Sequence, residues 1–320
     1  MRLTVRRELD AHFVDADQAG TQSFIHDGVA IRVNLSKPPE ASFAAVTCVG
    51  ALDLARGVGP RDVAQSAVAP IDDGHALVAP GGLDVDINDL VDGYRRIDST
   101  LEQVGALLRW RFSLSGKDSL FKESSVTLLT DGGQSVELNK LGTAAMGDDA
   151  AHVCADELGE LRGMCADGCR EPLAHQLWRE AWNLRHGNPR ASLVTGVAAA
   201  EVGMKHLVAV LVPHARWLVE EVPSPPLVSM VKNYLPDLPI CVDVRPDRRS
   251  PAHLRRLLDE AVVARNRVIH RGETPAIFLR ATLAGVREFL YLLDFYGGQP
   301  WARAQLSAET LASLGLEHAD

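Results

Sequence analysis

Ala264-Arg265-Asn266-Arg267-Val268-Ile269-His270-Arg271 lies near the end of a strongly helical run, and placing it on a helix decides how the C-terminal half is built. The octet carries three arginines, one asparagine and one histidine. Arginine presents a planar fork of donors that suits phosphate. Histidine is the side chain whose proton moves most readily near neutral pH. Together they can hold a phosphodiester and shuttle protons across it, a chemistry that calls for no metal and no cofactor.

Ser250-Pro251 reads as an N-cap followed by a first-turn proline, so the helix starts there. With about 100° per residue and Leu254 at zero, Leu257, Leu258, Ala261, Val262, Val268 and Ile269 fall within roughly 80° and form the expected buried stripe. Arg265 lies at about 20°, in the middle of that stripe. A charge there must be paired or must line an interface. Asn266, Asp259 and His270 group at about 120–160° on the flank, and Arg267 and Arg271 point to solvent at about 220° and 260°. Arg265 and His270 thus differ by about 140° and cannot both face one atom on an ideal helix. Either the guanidinium curls past Asn266, or the helix distorts, or two copies of the chain share the site. Glu201, on the inner edge of the preceding long helix, is the candidate partner of Arg265. The plain alternative is that this ion pair pins two helices and that His270 has no role.

Outward from this helix the C-terminal half reads as a bundle. Leu173, Leu177, Trp178 and Ala181 mark one amphipathic helix, stopped near Gly187-Asn188-Pro189. The next runs from Arg190 to Val212 and ends at Pro213; Glu201, Lys205 and His206 break its apolar run, which argues against a membrane span. His214 to Glu221 and Leu227 to Leu235 are short helical pieces, and Ile240 to Arg249 is a loop or edge strand. Thr274-Pro275 opens a last long helix with Leu279, Leu283, Val286, Leu290 and Leu293 inside, closed by Gly297-Gly298. The bundle spans 172–297, and 298–320 is expected to be a polar, peripheral tail.

Residues 1–150 read as a strand-rich domain. Phe24-Ile25-His26 and Val29 to Val33 flank Asp27-Gly28, a hairpin signal. Ala44 to Val49 is a β-prone run, and Val126–Thr130 and Ser135–Leu138 form a second hairpin through Asp131-Gly132-Gly133. A helix starts after Asn88 or Asp89, buries Leu90, Tyr94, Ile97, Leu101 and Val104, and is expected to stop at Gly105. Alternation of Leu108, Trp110, Phe112 and Leu114 with polar residues then predicts a half-buried strand. The stretch 151–171 is expected to be a linker, its His152, Cys154, Cys165 and Cys169 matching no zinc spacing. Asp84-x-Asp86-x-Asn88 lacks the glycine and glutamate of a calcium loop, and Gly57-Val58-Gly59 is too short for a nucleotide fingerprint. The fold class is therefore α+β: a strand-rich N-terminal domain followed by an all-α bundle.

The chain has 320 residues and a formal net charge of −9, which disfavours non-specific coating of nucleic acid. Locally the balance inverts: Val244 to Leu290 holds ten arginines, no lysine and five carboxylates. Five scattered cysteines and no apolar leader behind Met1-Arg2-Leu3 predict a reducing cytoplasm.

Arg265-Asn266-x-x-x-His270 resembles the R-N-x-x-x-H signature of the HEPN superfamily, helical bundles common in prokaryotic defence and toxin–antitoxin proteins. The long helix with Ala199-Ala200-Glu201 is similar to that family's early helix bearing a polar residue. Glu260 echoes an acidic position of some members, while Ala264 stands where those carry lysine. The likeness covers about 172–297, which is similar to the HEPN domains found at the C-terminus of abortive-infection proteins. It implies a homodimeric, metal-independent endoribonuclease with Arg265 and His270 catalytic, Asn266 orienting, and Glu201, Arg267 and Arg271 supporting. It also implies an RNA substrate, an N-terminal domain that senses a trigger or restrains activity, and an antitoxin or trigger molecule as a further partner. Other members have lost activity, so the alternative is a non-catalytic adaptor that binds RNA, a nucleotide or a protein partner.

Overall fold

The computed structural model describes residues 1–9, 11–14, 20–36, 45–54, 67–72, 75–79, 86–114, 121–131, 133–141, 149–152, 155–221, 226–273 and 278–316. Gly57-Val58-Gly59, Asp84, Cys154 and Thr274-Pro275 lie outside them. The chain divides into two compact units, Met1–Arg170 and Glu171–Asp320. The architecture is α+β, with the strands in the first unit and a helical second unit.

Unit 1 contains β1 (Arg2–Leu9), β2 (Ala11–Val14), β3 (Gly20–His26), β4 (Val29–Ser36), β5 (Ala45–Asp53), β6 (Ala67–Asp72), β7 (His75–Ala79), helix α1 (Ile87–Phe112), β8 (Phe121–Leu129), β9 (Ser135–Leu141), β10 (Asp149–His152) and helix α2 (Ala155–Ala166). The main sheet is antiparallel in the order β3-β4-β5-β1-β8-β9, continued past β9 by β7 and β6. A small parallel pair joins β2 and β10. The Asp27-Gly28 turn links β3 to β4, with His26 opposite Val29, and both turn residues have positive φ (49° and 74°). Such a turn matches the strand twist, and glycine takes that conformation without a Cβ clash. The β8–β9 hairpin is also as expected, with Leu129 opposite Ser135.

Strand alternation sends Leu3 and Val5 of β1, Ile31 and Val33 of β4 and Val46 and Cys48 of β5 into a core shared with Tyr94, Ile97 and Leu101 of α1. Arg7 is buried on the same face, ion-paired with Asp98 and donating from Nη1 to Glu102 Oε1 at 2.6 Å. This pair of carboxylates one turn apart fixes α1 on the sheet. Burial pushes the Cys48 thiol up to about 12, Arg7 opposing the shift only in part. The folded state therefore holds a proton that the unfolded chain releases near pH 9, so Cys48 contributes nothing below that pH and removes stability as pH climbs toward 12. The expected result is that Cys48 resists alkylation in native protein at pH 8 and reacts only in denaturant, as read by mass spectrometry of labelled peptides.

The structure corrects three expectations about segment boundaries. Helix α1 does not stop at Gly105, and no strand follows; it continues to Phe112. Leu108, Trp110 and Phe112 are buried, but so are Arg109 and Arg111, so the alternation marks no exposed face. The stop is at Ser113, in the left-handed region (φ 54°), where Leu114 N donates to Arg109 O and Ser113 N to Trp110 O. The stretch 151–171 is not a plain linker, because α2 packs Leu158 and Leu161 fully inside and Glu160 receives Arg111 Nε at 2.8 Å. Its few apolar residues fall on one face, which overall composition conceals. Cys165 and Cys169, at the end of α2, are free thiols.

Unit 2 comprises α3 (Leu173–Leu184), α4 (Pro189–Leu211), a 3-10 turn (Pro213–Ala215), α5 (Arg216–Glu221), α6 (Leu227–Ser229) running into further helical turns to Asp237, α7 (Ala252–Arg271), α8 (Leu279–Tyr296), a 3-10 segment (Pro300–Gln305) and α9 (Ala308–Leu314). Helix α4 is long and apolar enough to cross a membrane, yet it is the core of this unit, packed on α3, α7 and α8 with Leu193, Val197, Ala200 and Met204 buried. A Cβ at Gly203 would come 2.5 Å from Leu290 Cδ2, so glycine is what lets α4 and α8 approach. Gly203→Val is expected to cost about 1–3 kcal/mol by overpacking, measured as a lower urea midpoint with unchanged slope.

The expected tail, 298–320, is a third correction. Helix α9 buries Thr310, Leu311 and Leu314, with Ser307 as its N-cap accepting from Thr310 N at 3.2 Å. Glu288 Oε1 on α8 accepts from Ser307 N at 2.8 Å and Thr310 Oγ1 at 2.6 Å, and His253 on α7 adds a 3.0 Å contact to that hydroxyl. Polar residues placed at a cap dock this helix, a signal that hydrophobic periodicity does not register.

Candidate active site

Helix α7 carries every residue of the R-N-x-x-x-H pattern. Its N-cap is Pro251, without a side-chain cap; Ser250 Oγ is buried and has no hydrogen-bond partner among the described residues, contrary to the expected serine cap. At the other end Gly272 (φ 65°) closes the helix, donating to Val268 O. His270 and Arg271 lie in the last turn, where the helix dipole favours positive charge.

Arg265 Nη2 donates to Glu201 Oε1 at 2.7 Å, joining α7 to α4 across 64 residues of sequence as the two helical wheels suggested. The pair is half-buried, with side-chain exposures of 23% and 36%. Arg265 Nε is also buried and makes no hydrogen bond among the described residues. One nitrogen of the fork is thus fixed by Glu201, and the guanidinium retains donors for a second acceptor.

The buried stripe of α7 is rotated from the ideal wheel. Leu254, Leu258, Ala261, Ala264 and Val268 are buried, Leu257 and Val262 are half-buried, and Ile269 is 50% exposed. In the last two turns the inward face centres on Ala261, Ala264 and Val268, which pack with Leu193 and Val197 of α4. Small Ala264 faces the core because α4 comes close there, and Ile269 is displaced outward. Arg265 therefore sits on the edge of the buried face, not in its middle. That placement makes it partly accessible.

Asn266, Arg267, His270 and Arg271 are exposed. Arg271 Nη1 lies 3.7 Å from Glu273 Oε1, while Asn266, Arg267 and His270 make no hydrogen bond or ion pair among the described residues. The helix thus brings Asn266 and His270 together one turn apart, and it brings Arg265 to Glu201. It does not join Arg265 to His270, since the helix is regular between them. Within one chain Arg265 and His270 therefore lie on different faces of α7, the first half-buried against Glu201 and the second exposed.

Two other features escaped the sequence reading. His175 Nε2 contacts Asp294 Oδ2 at 2.8 Å, with side-chain exposures of 4% and 10%, so this pair ties α3 to α8. Nearby, burial pulls the His206 pKa down, opposed by Asp294 and aided by Arg216 and His175. Phe278, immediately before α8, is 91% exposed. Its sequence signal is an aromatic one position ahead of the apolar period that starts at Leu279. In comparison with known proteins, the chain matches no family model, no curated protein and no solved structure.

Proposed function

We propose that the chain is a metal-independent endoribonuclease of the HEPN type, working in the cytoplasm of a prokaryotic defence or toxin-like system. The observation that carries this reading is the Arg265–Glu201 pair, which holds a half-buried guanidinium on the helix that also carries the exposed Asn266 and His270. In the reaction an RNA 2′-oxygen bonds to the adjacent phosphorus, and the bond from phosphorus to the 5′-oxygen breaks. His270 moves the proton, and Arg265 offsets charge on the non-bridging oxygens. Asn266 orients the imidazole or a substrate oxygen, and Arg267 and Arg271 hold flanking phosphates. The products are a 2′,3′-cyclic phosphate and a 5′-hydroxyl. Two copies of α7 facing each other would place one chain's arginine beside the other's histidine, which the 140° separation on a single helix calls for. The N-terminal unit, on this reading, senses a trigger or receives a companion antitoxin.

The engagement of Arg265 by Glu201 favours a second reading, a non-catalytic adaptor in which the pair only pins α4 to α7. Incubating the purified chain with total RNA in EDTA separates the two. Fragments ending in cyclic phosphate support the nuclease; intact RNA with unimpaired binding supports the adaptor.

A further inference from the structure

Phe278 is the most exposed large apolar residue among those described, at 91%. Its backbone is nevertheless held, because its carbonyl accepts Thr282 N at 3.0 Å and Thr282 Oγ1 at 3.2 Å as the first bonds of α8. A ring fixed on a helix start and turned to water forgoes the gain of burial. Its neighbour Leu279 packs on the cluster containing Ala264 and Val268, so the backbone of Phe278 is anchored at the end of α7 that carries the motif. Ile269 adds an exposed apolar edge there.

The charges around this corner select the occupant. Arg267, His270, Arg271 and Arg280 are exposed, and Arg271 Nη1 lies 3.7 Å from Glu273 Oε1. Arg267 and Arg280 make no hydrogen bond or ion pair among the described residues. An apolar patch meant for a protein partner would not need these two unpaired arginines beside it in sequence. A single-stranded polynucleotide offers both complements: phosphates for the arginines and an unpaired base for the ring. A duplex hides its bases and offers only the phosphates.

We infer that Phe278, with the exposed Arg271 and Arg280 on the chain before and after it, is a base-stacking subsite that selects single-stranded RNA for the motif on α7. The inference rests on the ribonuclease reading of that helix. Stacking needs no 2′-hydroxyl, so binding can be measured apart from cleavage with a 2′-deoxy single strand carrying 2-aminopurine. The full-length chain is expected to bind this probe and quench its fluorescence. Phe278→Ala should weaken binding about ten-fold and abolish the quench, Phe278→Trp should retain both, and Arg280→Ala should lower the slope of log affinity against log salt by about 0.7. Phe278 is exposed, so the alanine variant is expected to melt with wild type. Equal affinity and quench in wild type and Phe278→Ala would overturn the subsite while leaving RNA cleavage standing. Loss of a co-purifying protein or of self-association in Phe278→Ala, with probe binding intact, would overturn it in favour of a protein contact. A wild type that neither binds the probe nor cuts RNA sinks both ideas.

Discussion

His270→Ala is expected to slow RNA cleavage by about 10²–10⁴-fold, the usual contribution of a positioned acid or base. The fold should survive. The imidazole is exposed and makes no bond among the described residues, so its removal leaves no buried group without a partner. Arg265→Lys is the informative companion. It keeps the charge and can still reach Glu201, but it loses the planar fork, so cleavage should fall while the melting temperature holds. Arg265→Ala leaves a half-buried Glu201 without its partner and should lose both activity and stability. These three variants, assayed on total RNA in EDTA and by thermal melting, separate chemistry from architecture. Cleavage at wild-type rate in His270→Ala and Arg265→Lys would end the nuclease reading.

Arg179→Ala is expected to be the most destabilising single change in the helical unit, costing about 3–5 kcal/mol. Arg179 grips both oxygens of Glu171, Nη2 donating to Oε2 at 2.7 Å and Nη1 to Oε1, and the Glu171 side chain is only 1% exposed. Truncation strands a carboxylate away from water with no replacement donor. The melting transition of this unit should drop on the order of 10 °C. Replacing both partners, Glu171→Leu with Arg179→Met, should recover most of the loss, because no buried charge then remains. If Arg179→Ala melts like wild type, water reaches Glu171 and the site is wetter than its burial indicates.

These two outcomes rest on different kinds of information. The helix carrying His270, the flank shared by Asn266 and His270, and the partnership of Glu201 with Arg265 follow from residue types and a 3.6-residue period. The rotation of the α7 stripe does not. It depends on Ala264 meeting a close approach of α4, a contact between segments some seventy residues apart. Phe278 was invisible for a similar reason: an aromatic ahead of an apolar stripe reads as core until its exposure is known.

Taken alone, the sequence determined the α+β class, both hairpins, the order of long helices and the wheel separation of Arg265 from His270, because each depends on neighbours within a few residues. Only the tertiary structure decided where α1 stops, that α2 and α9 are packed helices, and that Arg265 is an edge residue. Those outcomes turn on which surface another segment covers. Arg111 meeting Glu160, Glu288 receiving the cap of α9, and α4 pressing on Ala264 are long-range contacts that local periodicity does not encode.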